Sequence, residues 1–135
     1  MLRLPEPVWL EMVGHAFDRL PDEACGLFAG RPELGRAEIF YPCGNEAASS
    51  RVYTVDPMDH LRADRDAEGR GLEILGVMHS HTHTDAYPSA TDVDQAPDPS
   101  WRYVIVSLRD EAPSLRCYRI SGGAVSEEPV SLERR

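Results

Sequence analysis

LEILGVMHSHTHTDAYPSATD, Leu72 to Asp92, changes character twice along its length. Leu72 to His81 is a nearly unbroken apolar run that closes on two histidines, which predicts a buried strand. Residues 84–90 are polar and proline-bearing, and predict a loop. Ser89 then has the form of an N-cap, with Asp92 three residues on, for a short helix stopped by Pro97 and Pro99. A buried strand feeding a loop and then a helix is a joint of an α/β domain.

The sequence outside this joint supports that class. Val8, Trp9, Met12, Val13, Ala16, Phe17 and Leu20 recur at helical spacing, with Pro5 or Pro7 suited to a first turn and Pro21 as the stop. Cys25 to Ala29, Ala37 to Tyr41 and Arg51 to Val55 read as strands. Asp56-Pro57 caps a charged helix running to about Gly69. Trp101 to Leu108 and Ser114 to Ile120 are strands, and Gly122-Gly123 turns the chain into a last short one. The expectation is a single mixed α/β domain over residues 1–135.

Composition narrows the function classes. All 14 cations are Arg, against 23 acidic side chains, for a net charge of −9. Such a surface repels phosphate backbones, so no nucleic-acid partner is expected. Without Lys there is no Schiff-base chemistry and no Lys-based phosphate loop. No apolar run approaches bilayer length and the N-terminus lacks a long apolar leader, so the expected location is the cytoplasm, with no membrane partner. Cys25, Cys43 and Cys117 are odd in number and far apart, which predicts small buried residues rather than disulfides.

Three of the five histidines, His79, His81 and His83, fall on alternate positions. On a strand they share a face, with Cα atoms of neighbours roughly 6.5 Å apart, so two imidazoles can meet one ion. His81-Thr82-His83-Thr84-Asp85 also resembles the opening of dinuclear metallo-β-lactamase sites. Those need further histidines downstream, and none follows; His15 and His60 lie upstream on predicted helices with no evident partner. A mononuclear site of two His, one Asp and an open position remains, the ligand set of a hydrolytic zinc.

His79-Ser80-His81, ten residues, then Asp92, with Ser89 three before it, matches the motif of the JAMM (MPN+, Mov34/PAD-1) zinc metalloproteases. DEACGLFAG, Asp22 to Gly30, supplies the family's upstream glutamate as Glu23. Residue chemistry alone does not select Glu23 over Glu33, Glu38, Glu46 or Glu73. The resemblance extends to Asn45-Glu46-Ala47 and to Tyr53 through Pro57. It implies a cytidine-deaminase-like α/β fold with helices flanking a curved sheet. It further implies one Zn²⁺ per chain held by His79, His81 and Asp92, with Glu23 as proton shuttle and Ser89 as donor to the oxyanion. His83 and Asp85 fall outside the motif, near the expected cleft, and Asp94 has the wrong spacing for a ligand.

Members of this family cut the bond after the C-terminal glycine of ubiquitin or a ubiquitin-like protein. The short chain, with PDEACG, YVIVSLRD and EEPV, is similar to the compact bacterial branch that frees cysteine from a sulfur carrier. The implied partner is therefore a ubiquitin-like sulfur-carrier protein ending in Gly-Gly. Related peptidases of other carriers, and non-catalytic scaffolds of the same fold, are the alternatives. A Gly-Gly tail suits an exposed strand edge, with 51–55 or 84–88 as candidates and Arg51 as a cation for the cysteine carboxylate.

Overall fold

The computed structural model describes residues 1–134; Arg135, the expected end of the domain, lies outside them. The elements are β1 (Leu2–Pro5), α1 (Glu6–Asp18), β2 (Cys25–Gly30), β3 (Ile39–Cys43), α2 (Pro57–Gly69), β4 (Glu73–His81), α3 (Ala90–Asp94), β5 (Arg102–Ser107), β6 (Ser114–Ser121), β7 (Ala124–Glu128) and β8 (Val130–Glu133). Six strands form one mixed sheet in the order β3-β2-β4-β5-β6-β7, in which only β4 and β5 run parallel. β1 and β8 pair in parallel as a separate ribbon. The architecture is the expected mixed α/β sheet flanked by helices.

β4 is central and covered on both faces, which is why Leu75 to His81 is buried without interruption. Alternation along the strands sends side chains to two cores. Phe28, Met78, Val104 and Val106 pack on α1 and β1 with Leu4, Val8 and Met12. Leu27, Val77, Tyr103 and Ile105 pack on the opposite face with Ala63 of α2. Full burial of each large apolar side chain contributes about 1.5–3 kcal/mol. Gly76 lets β4 approach β5 closely: a Cβ there would sit 1.9 Å from the Arg102 carbonyl oxygen. Because His79 and His81 follow Val77 at alternate positions, they share its face.

His15, expected to lack a partner, is buried on α1. Its Nε2 lies 2.9 Å from the Cys25 carbonyl and 3.3 Å from that of Cys43, docking the helix on β2 and β3. Pro5 is the N-cap and Pro7 falls in the first turn of α1. The cysteines are free and buried, as expected.

Three sequence-based readings of the elements need correction. Residues 51–55 form no strand; only an isolated bridge joins Asn45 to Val55. The Asn45 side chain has taken the place of a partner strand: its amide nitrogen donates to the Val52 carbonyl at 3.0 Å, and its oxygen accepts from Thr54 N–H at 2.9 Å. β1 was absent from the expected elements because its partner is at the far end of the chain. The segment after Gly123 holds two strands, since Pro129 separates β7 from β8. No helix among the described residues is long and apolar enough to cross a membrane.

Candidate metal centre

His79 and His81 occupy the last turn of pleat of β4, and the α3 first turn brings Asp92 to them. His79 Nε2 and His81 Nε2 are 3.2 Å apart, and Asp92 Oδ2 lies 3.1 Å from the first and 3.0 Å from the second. All three residues are buried. An ion bound tetrahedrally by nitrogen and oxygen at ~2.0–2.1 Å requires ligand atoms roughly 3.3 Å apart. The three donor atoms sit on such a triangle to within a few tenths of an ångström, so the residues fit a metal.

The surrounding bonds prepare each ligand. His81 Nδ1–H donates to the Asp85 carbonyl at 2.8 Å, leaving the Nε2 lone pair for the ion. His79 stacks on Tyr53, with centroids 4.3 Å apart and planes at 17°. Ser89 and Asp92 form a capping box: Asp92 N–H donates to Ser89 Oγ at 3.0 Å, and Ser89 N–H to Asp92 Oδ2 at 2.9 Å. Burial disfavours the Asp92 charge, but the two adjacent imidazoles and the Ser89 N–H outweigh it and hold the carboxyl well below its usual range. Burial lowers the His79 pKa and so favours the neutral ring that ligation needs. At His81 burial also opposes charge, but Asp92 and the Asp85 carbonyl prevail and raise the pKa.

Glu23 stands in the link between α1 and β2, 3% exposed, and its Oε1 has no hydrogen-bond partner among the described residues. Glu33, Glu38, Glu46 and Glu73 are all exposed, so the structure supplies the distinction that residue chemistry alone did not. Burial pushes the Glu23 carboxyl up to about 8; nearby His81 opposes the rise and Asp92 adds to it. The backbone around Glu23 is fixed from three sides. Glu23 N–H donates to the Ser49 carbonyl at 2.7 Å, its carbonyl accepts from Asn45 Nδ2 at 3.0 Å, and Ala24 N–H donates to Ser80 Oγ at 2.7 Å. Ser80, between the two histidines, thus ties the glutamate link to the ligand strand. Asn45, Ser80 and Tyr53 had no role in the sequence reading, although all three lie in the matched stretches.

His83 and Asp85 are exposed, because β4 ends at His81, and His83 does not join the ligand atoms. They line a groove of about 370 Å³ with His81, Tyr87, Ser89 and Arg109. On the Asp92 side, Tyr53, Val55, Val77 and Trp101 line an apolar cavity of about 210 Å³. Neither 51–55 nor 84–88 is a strand, so neither offers the regular edge expected of it, and Arg51 lines neither cavity. Cys25 is buried with its thiol pushed up to about 12, mainly by burial, and donates to the Gly44 carbonyl. Asp94 is exposed, as its spacing implied.

The chain is 44% identical to the CysO-cysteine peptidase of Mycobacterium tuberculosis over 122 residues, 90% of this chain and 84% of that protein. It is 35% identical over 108 residues to a probable TtuB-protein conjugate cleaving protease of Thermus thermophilus, covering 78% of this chain and 69% of that one. A solution structure of a Desulfitobacterium hafniense protein superposes with a TM-score of 0.92 at 37% identity, covering 100% of this chain and 94% of that one. Residues 5–121 match the family described as prokaryotic homologs of the JAB domain. With that match spanning most of the described fold, the chain belongs to the prokaryotic JAB branch of the JAMM proteins.

Proposed function

We propose that this chain is a zinc-dependent hydrolase. In this reading it cleaves the amide between the C-terminal glycine of a ubiquitin-like sulfur-carrier protein and cysteine, releasing cysteine for biosynthesis. One observation carries the reading: three donor atoms 3.0–3.2 Å apart lie near a buried glutamate whose Oε1 has no partner among the described residues. The 44% identity to a CysO-cysteine peptidase supports the substrate. The whole of residues 1–135 acts as one domain in this reading.

His79, His81 and Asp92 hold the ion, one per chain. Zn²⁺ in such a site supplies Lewis acidity, polarising a carbonyl and bringing the pKa of a water towards ~7. Glu23, in its ionised form, takes a proton from the attacking water and delivers it to the departing amine nitrogen. Without that delivery the amine is a poor leaving group. Ser89 Oγ accepts from Asp92 N–H, which leaves its own hydrogen free to donate to the oxyanion, a contribution of roughly 3 kcal/mol. The Asp85 carbonyl keeps the His81 ring in the tautomer that ligates.

The test is mass spectrometry on a carrier–cysteine adduct incubated with zinc-loaded protein. The expected result is loss of the cysteinyl mass, abolished by a chelator and restored by Zn²⁺. An adduct left intact by fully loaded protein overturns the substrate. The Thermus relative favours a second reading, a peptidase of another ubiquitin-like carrier, and the same assay with a carrier–protein conjugate separates the two. A non-catalytic scaffold is disfavoured because all five motif positions are filled. It predicts no zinc, and activity on no adduct.

A further inference from the structure

The two hollows beside the ligand triangle differ in chemistry. The Asp92 side is apolar, walled by Tyr53, Val55, Val77 and Trp101. The His81 side is polar, and among the described residues Arg109 is the one arginine that lines it. The two products of the proposed reaction differ in the same way. The carrier leaves as an extended tail, whereas cysteine carries a free carboxylate from the moment it is amide-linked. From this asymmetry, and resting on the hydrolase reading above, we propose that Arg109 binds the carboxylate of the leaving amino acid and so selects it. The groove beyond His81 and Ser89 is then the leaving-group side.

Arg109 is well placed for this. It follows β5, whose last residue, Ser107, pairs with His81 across the parallel ladder, and Leu108 N–H donates to the His81 carbonyl at 2.9 Å. Its backbone N–H donates to Ser107 Oγ at 3.3 Å. One guanidinium nitrogen, Nη1, contacts Asp85 Oδ1 at 2.6 Å. A guanidinium has five N–H donors in a planar fork, so one contact leaves an edge for a second, bidentate carboxylate. The pair to Asp85 joins two side chains that are 53% and 73% exposed, so the guanidinium lies at the open rim of the groove, and Asp85 is the residue whose carbonyl orients His81. Arg51, the cation expected from sequence, lines neither hollow.

Arg109 touching Asp85 admits a purely structural role, in which it steadies the loop and hence His81. The two roles separate on paired substrates: the carrier–cysteine adduct and the carrier–cysteamine adduct, identical but for the carboxylate. Zinc-loaded wild type is expected to prefer the cysteine adduct by about tenfold in kcat/KM, the scale of one partly exposed charge-assisted pair. In Arg109→Gln that ratio falls towards one, with the change carried by KM, and Arg109→Lys recovers part of it. A structural role lowers both substrates together and leaves the ratio unchanged, which overturns the proposal. A wild-type ratio near one also overturns it while leaving the hydrolase reading intact. Failure of loaded wild type to cleave either adduct overturns the carrier–cysteine substrate and this inference with it.

Discussion

The ligand triangle and the glutamate beside it are assembled in opposite ways. His79, His81 and Asp92 come from one contiguous stretch, and two short elements, the end of β4 and the start of α3, set their geometry. Glu23 arrives from 56 residues before His79 and lies in no regular element. Its position depends on Ser80, Ser49 and Asn45, through bonds that span the sheet and a long loop. Local assembly makes ion binding an all-or-none property of a few side chains. Remote assembly makes the proposed proton shuttle sensitive to residues that touch no reacting atom.

Mutations on the local half have the largest expected effect. His79→Ala or Asp92→Asn removes one of the three proposed ligands, so bound zinc, measured by elemental analysis after gel filtration, and hydrolysis are both expected to be lost. On the remote half, Glu23→Gln retains zinc yet lowers kcat by roughly 10²–10⁴. A variant that lost metal along with activity would erase the division between the halves.

The same glutamate gives a pH signature in chelated protein. Its carboxyl is raised from 4.5 in the unfolded chain to about 8 in the fold, so the folded state holds the proton more tightly. That stabilising contribution is full below pH 4.5 and is lost as pH rises towards 8. Denaturant titrations are expected to show Glu23→Gln gaining on wild type across this window, by on the order of 2–4 kcal/mol, with no gain below it. The smallest effect belongs to Asn45→Ala, which frees the Glu23 and Val52 carbonyls and the Thr54 N–H. It should cost about 1–3 kcal/mol of stability and lower kcat, with zinc content unchanged. Equal loss of zinc would mean that the loop supports both halves.

The same division governs what was legible in the sequence. The strand to His81, the Ser89 cap and the shared face of His79 and His81 follow from local pattern, and the structure has each where the pattern put it; His83, the third of the alternating histidines, falls beyond the strand end. Glu23 carried no local mark, because burial and an unpartnered oxygen are properties of the folded neighbourhood. Residues 51–55 misled because RVYTV is rich in the β-branched and aromatic residues that favour strands, and nothing in that composition says that one asparagine side chain would replace the missing ladder. β1 was hidden for a related reason: Leu2–Pro5 pairs with 130–133, and separation that large leaves no periodic trace. Arg109 sits in an ordinary strand-end sequence, and only the groove around it draws attention to it.

The capping box at α3 has an evolutionary consequence. Asp92 Oδ2 is a donor atom of the triangle and also the acceptor for Ser89 N–H, while the helix it opens is only five residues long. A lineage that abandoned hydrolysis could drift to apolar replacements of similar bulk at the two imidazoles and keep its sheet. Shedding the aspartate carries an added cost, since it removes one half of the capping box and leaves the Ser89 N–H without its acceptor. In decayed descendants of this enzyme, the carboxylate should therefore outlast the histidines.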